Sequence, residues 1–488
     1  MTTITASNFA RTTPAPAAAT PAFTVDPYDP DVIARRTADA KRAETTADPL
    51  PNDLIGKPAP SYFRSYEQLK TALYEMEAKY PGLVEVRDIG DTAEKIAGTA
   101  DRDILALVLT NKAMTGDKPS TLNVGGIHAR EIANPELLMT FANQLLAGHG
   151  TNADATMLLD TREVVLVPML NPDGHAVVEK GFLGERGGNT MQRKNTDAGE
   201  PALGTDLNRN FEYKWGGPGA SASPRSETYR GPSAASAPET KAIQQFAIAN
   251  KPDFFIDWHS YSKLNMYPWG DSREKTPHHA AFQALAQKFT SFNGYSPIQA
   301  IDLYATTGTT DDTIYAKNGK ASMAIETGSS FHQSDQEFAK TLQENLPILS
   351  YTAKIADSPF ERVFGPDVSS VTVDPTTRQL TATLSDLNNG KQAIAGAEVV
   401  LDPNAAPGTG MALTAADGTF DKFDEAVTGA ASALPGLDPN AGDGTLVYVR
   451  GRDVAGNWGP LTAQWLTGPA KAAANSVSDA ATSAAGVS

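Results

Sequence analysis

Two histidines and one glutamate could bind a metal ion together. His128 and Glu131 stand three residues apart, directly after an apolar stretch that ends in a Gly-Gly pair. Residues at this spacing share one face of a helical turn, so an imidazole and a carboxylate there can reach one cation. His259 ends a second apolar stretch, FFIDWH. Two imidazoles and a carboxylate, with a fourth position left open, are a common ligand set for catalytic zinc.

Each part of this set has a simpler interpretation when it is taken alone. His128 and Glu131 could lie on a solvated helix face, and His175 with Glu179 forms a similar pair. His259 alone could be a hydrogen-bonded core histidine. Both His128 and His259 follow predicted buried strands, however, and ligands of open α/β sheets gather at the carboxyl ends of strands. This placement favours a metal site over the simpler interpretations.

Alternating strands and helices must position these residues. Ser65 can cap a helix with apolar residues at helical spacing that ends before Pro81. Short, nearly continuous apolar stretches then alternate with helical segments; they are ILALVLT, STLNVGGI, EVVLVPML, DFFIDWH and ASMAIET. We therefore predict an α/β domain over residues 61–357, with a mixed, mostly parallel central sheet flanked by helices.

The flanking segments differ in composition from this domain. Residues 1–60 are rich in Ala, Pro, Thr and Asp, which indicates a disordered or loosely attached arm. Residues 358–468 carry short strands separated by turn residues, which predicts a small all-β sandwich; they are SSVTVD, QLTATLSD, AEVVLD, TLVYVRGRD and AQWLT. Small residues dominate 469–488, which we expect to be a disordered tail.

Composition restricts the possible partners and cofactors. The 488 residues carry a formal net charge of -16 and no basic block, which argues against a nucleic-acid partner. Without any cysteine, a metal must be bound by nitrogen and oxygen. No apolar run is long enough to span a bilayer. The first residues lack the basic start and apolar core of a signal peptide.

Several motifs carry a family resemblance. HAREIANPE, PMLNPDGH, RKN, DLNRNF, SETYRGPSAASAPET, WHSYS and AIETGSSF occur in this order. In order and spacing they resemble the metallocarboxypeptidases of the carboxypeptidase A, B and T type, over roughly residues 61–357. The resemblance implies a carboxypeptidase-like fold and one zinc ion bound by His128, Glu131 and His259. It also implies hydrolysis of the C-terminal bond of peptides and proteins.

The resemblance assigns the catalytic roles. Glu326 matches the general base, which takes a proton from the water that zinc activates and passes it to the leaving amine. Arg193 matches the arginine that polarises the scissile carbonyl and stabilises the oxyanion. Lys194 is an adjacent alternative for that second role.

The resemblance also assigns residues that bind the substrate. Asn208 and Arg209 match the pair that grips the terminal carboxylate, for which the planar fork of arginine is suited. Tyr304 matches a tyrosine that closes over the bound substrate, with Tyr315 as an alternative. Asp206 matches the carboxylate that orients the first zinc histidine.

The resemblance also assigns residues to the pocket for the substrate's terminal side chain and to the outer peptide subsites. Arg130 and Tyr261 resemble residues that line the outer peptide subsites. Asp311 falls where relatives that prefer basic residues carry an Asp at the base of the pocket for the terminal side chain. A carboxylate buried there would select C-terminal Lys or Arg. Asp311 and Asp312 could instead cap a helix that begins nearby.

Two other functions stay open. An amidase of the same fold could act on cell-wall peptides, although Asn208 and Arg209 favour a free α-carboxylate. The chain could also be a catalytically inactive metal-binding or adhesive protein, against which Glu326 and Arg193 argue. The C-terminal module resembles immunoglobulin-like or fibronectin-like domains of secreted bacterial enzymes, and its ligand cannot be identified from the sequence. We expect a monomer, and the resemblance favours an extracellular or periplasmic location.

Overall fold

The computed structural model describes residues 24–45, 58–197, 203–438 and 440–468. The first described helix, α1 (Pro30–Thr45), lies within the segment predicted to be a disordered or loosely attached arm. Its residues Ile33 and Ala40 pack against an apolar cluster on the larger domain. Residues 30–45 are therefore helical and packed against the larger domain, which differs from the expected disordered or loosely attached arm. The remainder of the arm, at 1–23 and 46–57, and the predicted tail at 469–488 lie outside the described residues.

The larger domain is built on an eight-stranded mixed sheet. In sequence order its strands are β1 (Val84–Asp91), β2 (Asp103–Leu109), β3 (Ser120–Gly125), β4 (Glu163–Val167), β5 (Phe254–His259), β6 (Leu264–Tyr267), β7 (Ser296–Gln299) and β8 (Ala321–Glu326). Across the sheet they run β1-β2-β4-β3-β5-β8-β6-β7. The neighbours β4, β3, β5 and β8 pair in parallel. The predicted mixed α/β sheet is confirmed, with β1, β6 and β7 as strands that the apolar stretches did not indicate.

Helices cover both faces of this sheet. They are α2 (Tyr66–Lys79), α3 (Ala93–Ile96), α4 (Ala133–Gly148), α5 (Ala153–Thr161), α6 (Pro172–Phe182), α7 (Pro238–Asn250), α8 (His279–Asn293), α9 (Ala300–Leu303), α10 (Thr310–Asn318), α11 (Asp335–Lys354) and α12 (Pro359–Arg362), with a short 3-10 helix at Leu207–Arg209. Helix α2 begins after Ser65, which forms a capping box with Gln68, as the sequence predicted for this helix start. Strand β5 alternates between two apolar clusters, since Phe254 belongs to one and Phe255 to the other. Within the described residues, no helix is long and apolar enough to cross a membrane.

A second, all-antiparallel unit follows the last helix. Its strands are β9 (Asp367–Val373), β10 (Gln379–Ser385), β11 (Ile394–Val400), β12 (Met411–Ala415), β13 (Asp424–Ala430), β14 (Leu446–Asp453) and β15 (Thr462–Trp465). Their order is β15-β14-β11-β12-β13-β10-β9, and Thr462 at one edge donates a hydrogen bond to the Val368 carbonyl at the other. The sheet therefore folds over on itself as a sandwich, and the predicted all-β domain is confirmed. Strands β12 and β13, in which Ala is the most frequent residue, were not predicted.

Partly buried polar contacts join the two units. The Lys354 ammonium lies 2.7 Å from the Asp154 carboxylate and 3.2 Å from the Thr462 hydroxyl. Lys288 on α8 is 1 % exposed and pairs with Asp367 on β9. Apolar side chains of β14 and β15 also belong to the main core of the larger domain. The boundaries near residues 60, 357 and 468 stay predictions.

Candidate metal centre and substrate cleft

The candidate ligands lie where three neighbouring parallel strands end. Strand β3 ends at Gly125, β5 at His259 and β8 at Glu326. His259 and Glu326 are direct register partners, and Gly125 is paired with Trp258. The short turn after β3 carries His128 to the same edge. The carboxyl ends of these strands thus bring together residues that are far apart in sequence.

The three candidate ligands converge in the structure. The His128 Nδ1 atom lies 2.6 Å from Glu131 Oε1, and the His259 Nδ1 atom lies 3.2 Å from Glu131 Oε2. The two Nδ1 atoms are 3.2 Å apart. All three side chains are buried, and their donor atoms lie within 4.8 Å of one another.

This arrangement fits a zinc ion. Two imidazole nitrogens that face each other gain nothing without a cation or a proton between them, and two nitrogens with one carboxylate are a donor set that zinc prefers. Burial acts to raise the pKa of Glu131, but the two imidazoles outweigh it and hold that pKa well below its ordinary value. The two neighbouring imidazoles therefore favour the ionised carboxylate, which is the form that binds a metal.

Asp206 holds both His128 and Arg193. Its Oδ1 atom lies 3.3 Å from His128 Nε2, and its Oδ2 atom accepts from Arg193 Nη2 at 2.9 Å and from Arg193 Nε at 3.2 Å. Burial would raise the pKa of Asp206, but Arg193 and His128 lower it well below its ordinary value. The neighbouring Lys194 instead donates to the carbonyls of Pro224 and Ser226. Arg193, of the two candidates, is thus the one beside the ligand set.

Asn208 and Arg209 lie in the short 3-10 helix next to the ligands. The Asn208 Nδ2 atom is 3.2 Å from His259 Nε2. Arg209 donates to the carbonyls of Asn208 and Gly219, and its Nη2 atom donates to the Tyr304 hydroxyl at 3.1 Å. This last contact joins Arg209, which the family resemblance pairs with the terminal carboxylate, to Tyr304, which it assigns to closing over the substrate.

The alternative tyrosine lies in the hydrophobic core. Tyr315 is 4 % exposed, packs edge-on against Phe282 and lies within hydrogen-bond distance of His278. Tyr304 is half-buried and follows α9 directly. Among the described contacts of the two tyrosines, only Tyr304 has one with Arg209, beside the candidate metal ligands.

Arg130 and Tyr261 lie around one aromatic ring. The Arg130 guanidinium stands 4.3 Å from the Phe331 ring centre, and the Tyr261 ring meets Phe331 edge-on at 5.0 Å. Arg130 also donates to the carbonyl of Ala43 in α1 at 2.8 Å. The end of the N-terminal helix therefore lies against a predicted outer subsite.

Asp311 and Asp312 lie in the first turn of α10. Thr309, not either aspartate, is the N-cap residue, so the capping interpretation is wrong. The Asp312 carboxylate accepts from the Gly270 amide at 2.9 Å. Burial raises the pKa of Asp311, and burial together with Asp311 raises that of Asp312 well above its ordinary value. Neither forms an ion pair with another described residue.

The sequence analysis missed two residues of this region. Asp257 lies on β5, is fully buried and has its Oδ2 atom 3.0 Å from His259 Nε2. Thr310 donates its hydroxyl to the same carboxylate. A charged residue inside the apolar stretch FFIDWH was a signal that could have identified Asp257.

Comparison with known proteins agrees with the geometry. A family model described as zinc carboxypeptidase matches residues 69–348. Carboxypeptidase A2 of Rattus norvegicus is 33% identical over 278 residues, which cover 54% of this chain and 63% of that protein. The metallocarboxypeptidase A-like protein of Trichophyton verrucosum is 31% identical over 300 residues, which cover 59% of this chain and 67% of that protein. The chain thus spans less than two thirds of the rat relative.

A solved structure shares the fold of the larger domain. Bovine thrombin-activatable fibrinolysis inhibitor, in complex with tick carboxypeptidase inhibitor, superimposes with a TM-score of 0.53 at 28% identity. The match covers 61% of this chain and 97% of that one. The family model, the shared fold and the buried His128–Glu131–His259 group agree, and the chain belongs to the zinc carboxypeptidase family.

Proposed function

We propose that the protein is a zinc-dependent metallocarboxypeptidase that removes one residue from the C-terminus of peptides and proteins, with a preference for Lys and Arg. The observation that carries the proposal is the direct contact between the metal-binding group and a carboxylate-binding pair. Asn208 lies 3.2 Å from the ligand His259, and Arg209 follows it in the chain. A peptide bound by its terminal carboxylate at Arg209 would thus have its last peptide bond near the metal.

Glu326 is the proposed general base. It ends β8 as the register partner of the ligand His259 and is 7 % exposed, so a largely solvent-shielded carboxylate is carried on the strand next to that ligand. Zinc bound by His128, Glu131 and His259 would polarise the scissile carbonyl and lower the pKa of a water molecule. Glu326 would accept the proton of that water and deliver it to the departing amine.

Arg193 is the proposed oxyanion-stabilising residue. The carboxylate of Asp206 fixes two of its guanidinium nitrogens, and the third lies 3.4 Å from His128 Nδ1. A cation held rigidly beside the ligands can stabilise negative charge as it develops on the carbonyl oxygen, with little reorganisation.

Arg209 and Tyr304 support exopeptidase over amidase activity. The arginine can present a planar fork to a free α-carboxylate, which a blocked or internal amide lacks. Tyr304 already lies against Arg209, so a small movement of its ring would cover a residue bound there. An amidase of cell-wall peptides would have no use for this pair at the metal, and a purely adhesive protein would not need Glu326.

The preference for Lys and Arg rests on Asp311. Asp311 is 5 % exposed, and its carboxyl forms no ion pair with another described residue. A buried carboxylate without a cationic partner is costly, so a cationic terminal side chain would relieve that cost on binding. Arg130 and Tyr261, gathered around Phe331, are the proposed outer subsite for the residues that precede the cleaved bond.

The change Glu326→Gln tests the proposed reaction. The variant keeps the shape of the side chain and removes its basicity, so hydrolysis of hippuryl-Arg and hippuryl-Phe should fall by about 10²–10⁴-fold. Zinc content, measured by mass spectrometry, should stay at one ion per chain. Glu67→Gln, an exposed change in the first turn of α2, is the matched control and should leave turnover unchanged.

Three outcomes would contradict the proposal. A metal-loaded wild-type protein that cleaves neither substrate would exclude the peptidase and leave the inactive protein as the better explanation. Activity that survives exhaustive chelation would exclude a zinc-dependent reaction. Equal loss of zinc and turnover in Glu326→Gln would mean that Glu326 is a metal ligand and not the base.

A further inference from the structure

Asp257 is a buried carboxylate in direct contact with a metal-binding histidine. It lies two residues before His259 on β5, with none of its surface exposed. Its Oδ2 atom is 3.0 Å from His259 Nε2, and Thr310 donates its hydroxyl to the same oxygen. Residues two apart on a strand point to the same face of the sheet, so the geometry of the strand itself places the Asp257 and His259 side chains side by side.

The buried charge of Asp257 needs an explanation. The strand around it is otherwise apolar, and Phe255 on the same face belongs to a hydrophobic cluster. Burying a carboxylate is costly unless it is paired or hydrogen-bonded. None of the described Lys or Arg side chains lies within ion-pair distance of Asp257. Asp206, the carboxylate behind the other histidine, has the guanidinium of Arg193 for this purpose. For Asp257, the described partners are the imidazole of His259 and the hydroxyl of Thr310.

We infer that Asp257 is a positioning residue that fixes the ring orientation and tautomer of His259 for metal binding. A carboxylate at Nε2 favours the proton on that nitrogen and leaves the Nδ1 lone pair free. The His259 Nδ1 atom is the one that faces His128 and Glu131. The inference rests on the proposed function, because it assigns a purpose to the same metal site.

Thr310 extends this contact to the substrate side of the cleft. Its amide donates to Asn208 Oδ1 at 2.9 Å, while Asn208 Nδ2 lies 3.2 Å from His259 Nε2. His259, Asp257, Thr310 and Asn208 therefore form a closed ring of contacts. A displacement of Asp257 would move both the metal-binding imidazole and the amide proposed to bind the terminal carboxylate.

The inference is tested by zinc affinity in the absence of substrate. Asp257→Asn keeps the size of the side chain and removes its charge, so the zinc dissociation constant, measured by competition with a chromophoric chelator, should rise by about 10–100-fold. Asp257→Ala should weaken binding further. Asp173→Asn is the matched control, because Asp173 is an equally buried carboxylate whose described contacts include the Glu94 amide, Arg102 and the Thr92 side chain but none of the candidate metal ligands. It should leave zinc affinity unchanged.

A second measurement separates positioning from simple stability. The urea midpoint of the metal-free protein should fall no more in Asp257→Asn than in Asp173→Asn. The visible spectrum of the cobalt-substituted protein should change only in the Asp257 variants. Zinc affinity within twofold of wild type in Asp257→Asn would overturn the inference, as would a cobalt spectrum identical to wild type.

Thr310→Val distinguishes the ring of contacts from an isolated pair. The change removes the hydroxyl, which contacts both Asp257 and, at 3.1 Å, Asn208 Oδ1, and it keeps the Thr310 amide that donates to Asn208. Zinc affinity should fall by less than in Asp257→Asn, and the two changes together should not be additive, because they act on one network. Fully additive effects would refute the shared network. A protein that binds zinc as described but cleaves no peptide would refute the proposed function and leave this inference intact.

Discussion

Asp311→Asn should reverse the preference for basic C-terminal residues. The carboxyl is buried in the first turn of α10, and it has no ion-pair partner among the described residues. The carboxamide of Asn has nearly the same shape, so the pocket should keep its form. Only the charge that would pair with a terminal Lys or Arg is removed.

The expected magnitude follows from the environment of the carboxyl. Breaking a buried charge pair by removing one partner costs about 3–5 kcal/mol. We take the lower end, because Asp312 stays beside the pocket and the raised pKa of Asp311 makes its ionisation itself unfavourable. A loss of about 3 kcal/mol is on the order of a hundredfold in kcat/KM.

The assay is the ratio of kcat/KM for hippuryl-Arg to that for hippuryl-Phe. Asp311→Asn should lower this ratio by about a hundredfold, while the value for hippuryl-Phe should change by no more than a few fold. Asp438→Asn, in an exposed turn of the C-terminal sandwich, is the control. A ratio that stays within threefold of wild type would refute the assignment of Asp311.

The same assignment predicts a dependence on pH. Burial raises the pKa of Asp311, and the nearby Asp257 adds to that rise. The carboxylate that would attract a basic side chain therefore forms only above the ordinary range of aspartate. KM for hippuryl-Arg should fall as the pH rises through that raised pKa, and this limb should be missing in Asp311→Asn. An identical pH profile in both proteins would contradict the argument.

Two further changes test the cleft and the N-terminal helix. Arg209→Lys replaces the planar guanidinium, which contacts two carbonyls and Tyr304, with a single ammonium. The KM for hippuryl-Arg should therefore rise by about 10–100-fold. An unchanged KM would exclude Arg209 from carboxylate binding. Arg36→Ala removes donation to the Gly294 carbonyl at 2.9 Å and to the Ser296 hydroxyl at 3.0 Å. Proteolysis within residues 30–45 should accelerate by about tenfold relative to the exposed control Arg35→Ala, and equal rates would mean that these bonds do not hold α1.

The sequence predicted the central sheet and the ligand group for one physical reason. Strands buried on both faces are nearly continuous apolar stretches, and such stretches are visible without any knowledge of the fold. Their ends mark the edge of the sheet, where His128 and His259 meet and where Glu326 is the register partner of His259. Strands β6 and β7, the last two at one side of the sheet, have only four residues each, too few for the pattern to be recognised.

Helix α1 was missed because its attachment does not depend on an apolar stripe. It buries Val32 and the small side chains of Ala40 and Ala43, so the segment appears polar and small in composition. Arg36 adds to the attachment by donating to backbone carbonyls of the larger domain, and Arg130 of that domain donates in turn to the Ala43 carbonyl. Such acceptors belong to distant segments, and composition alone cannot identify them.

Asp257 shows how a positional rule could have extended the sequence prediction. Once His259 is assigned as a ligand at a strand end, the residue two positions earlier must share its face of the strand. A charged residue at that position is buried with the ligand, since the stretch around it is apolar. Burial then requires a partner, and the imidazole is the nearest polar group that β5 itself provides. The identity of His259 as a ligand and the burial of Asp257 together predict the contact at Nε2, while Thr310, which comes from another element, could be found only in the structure.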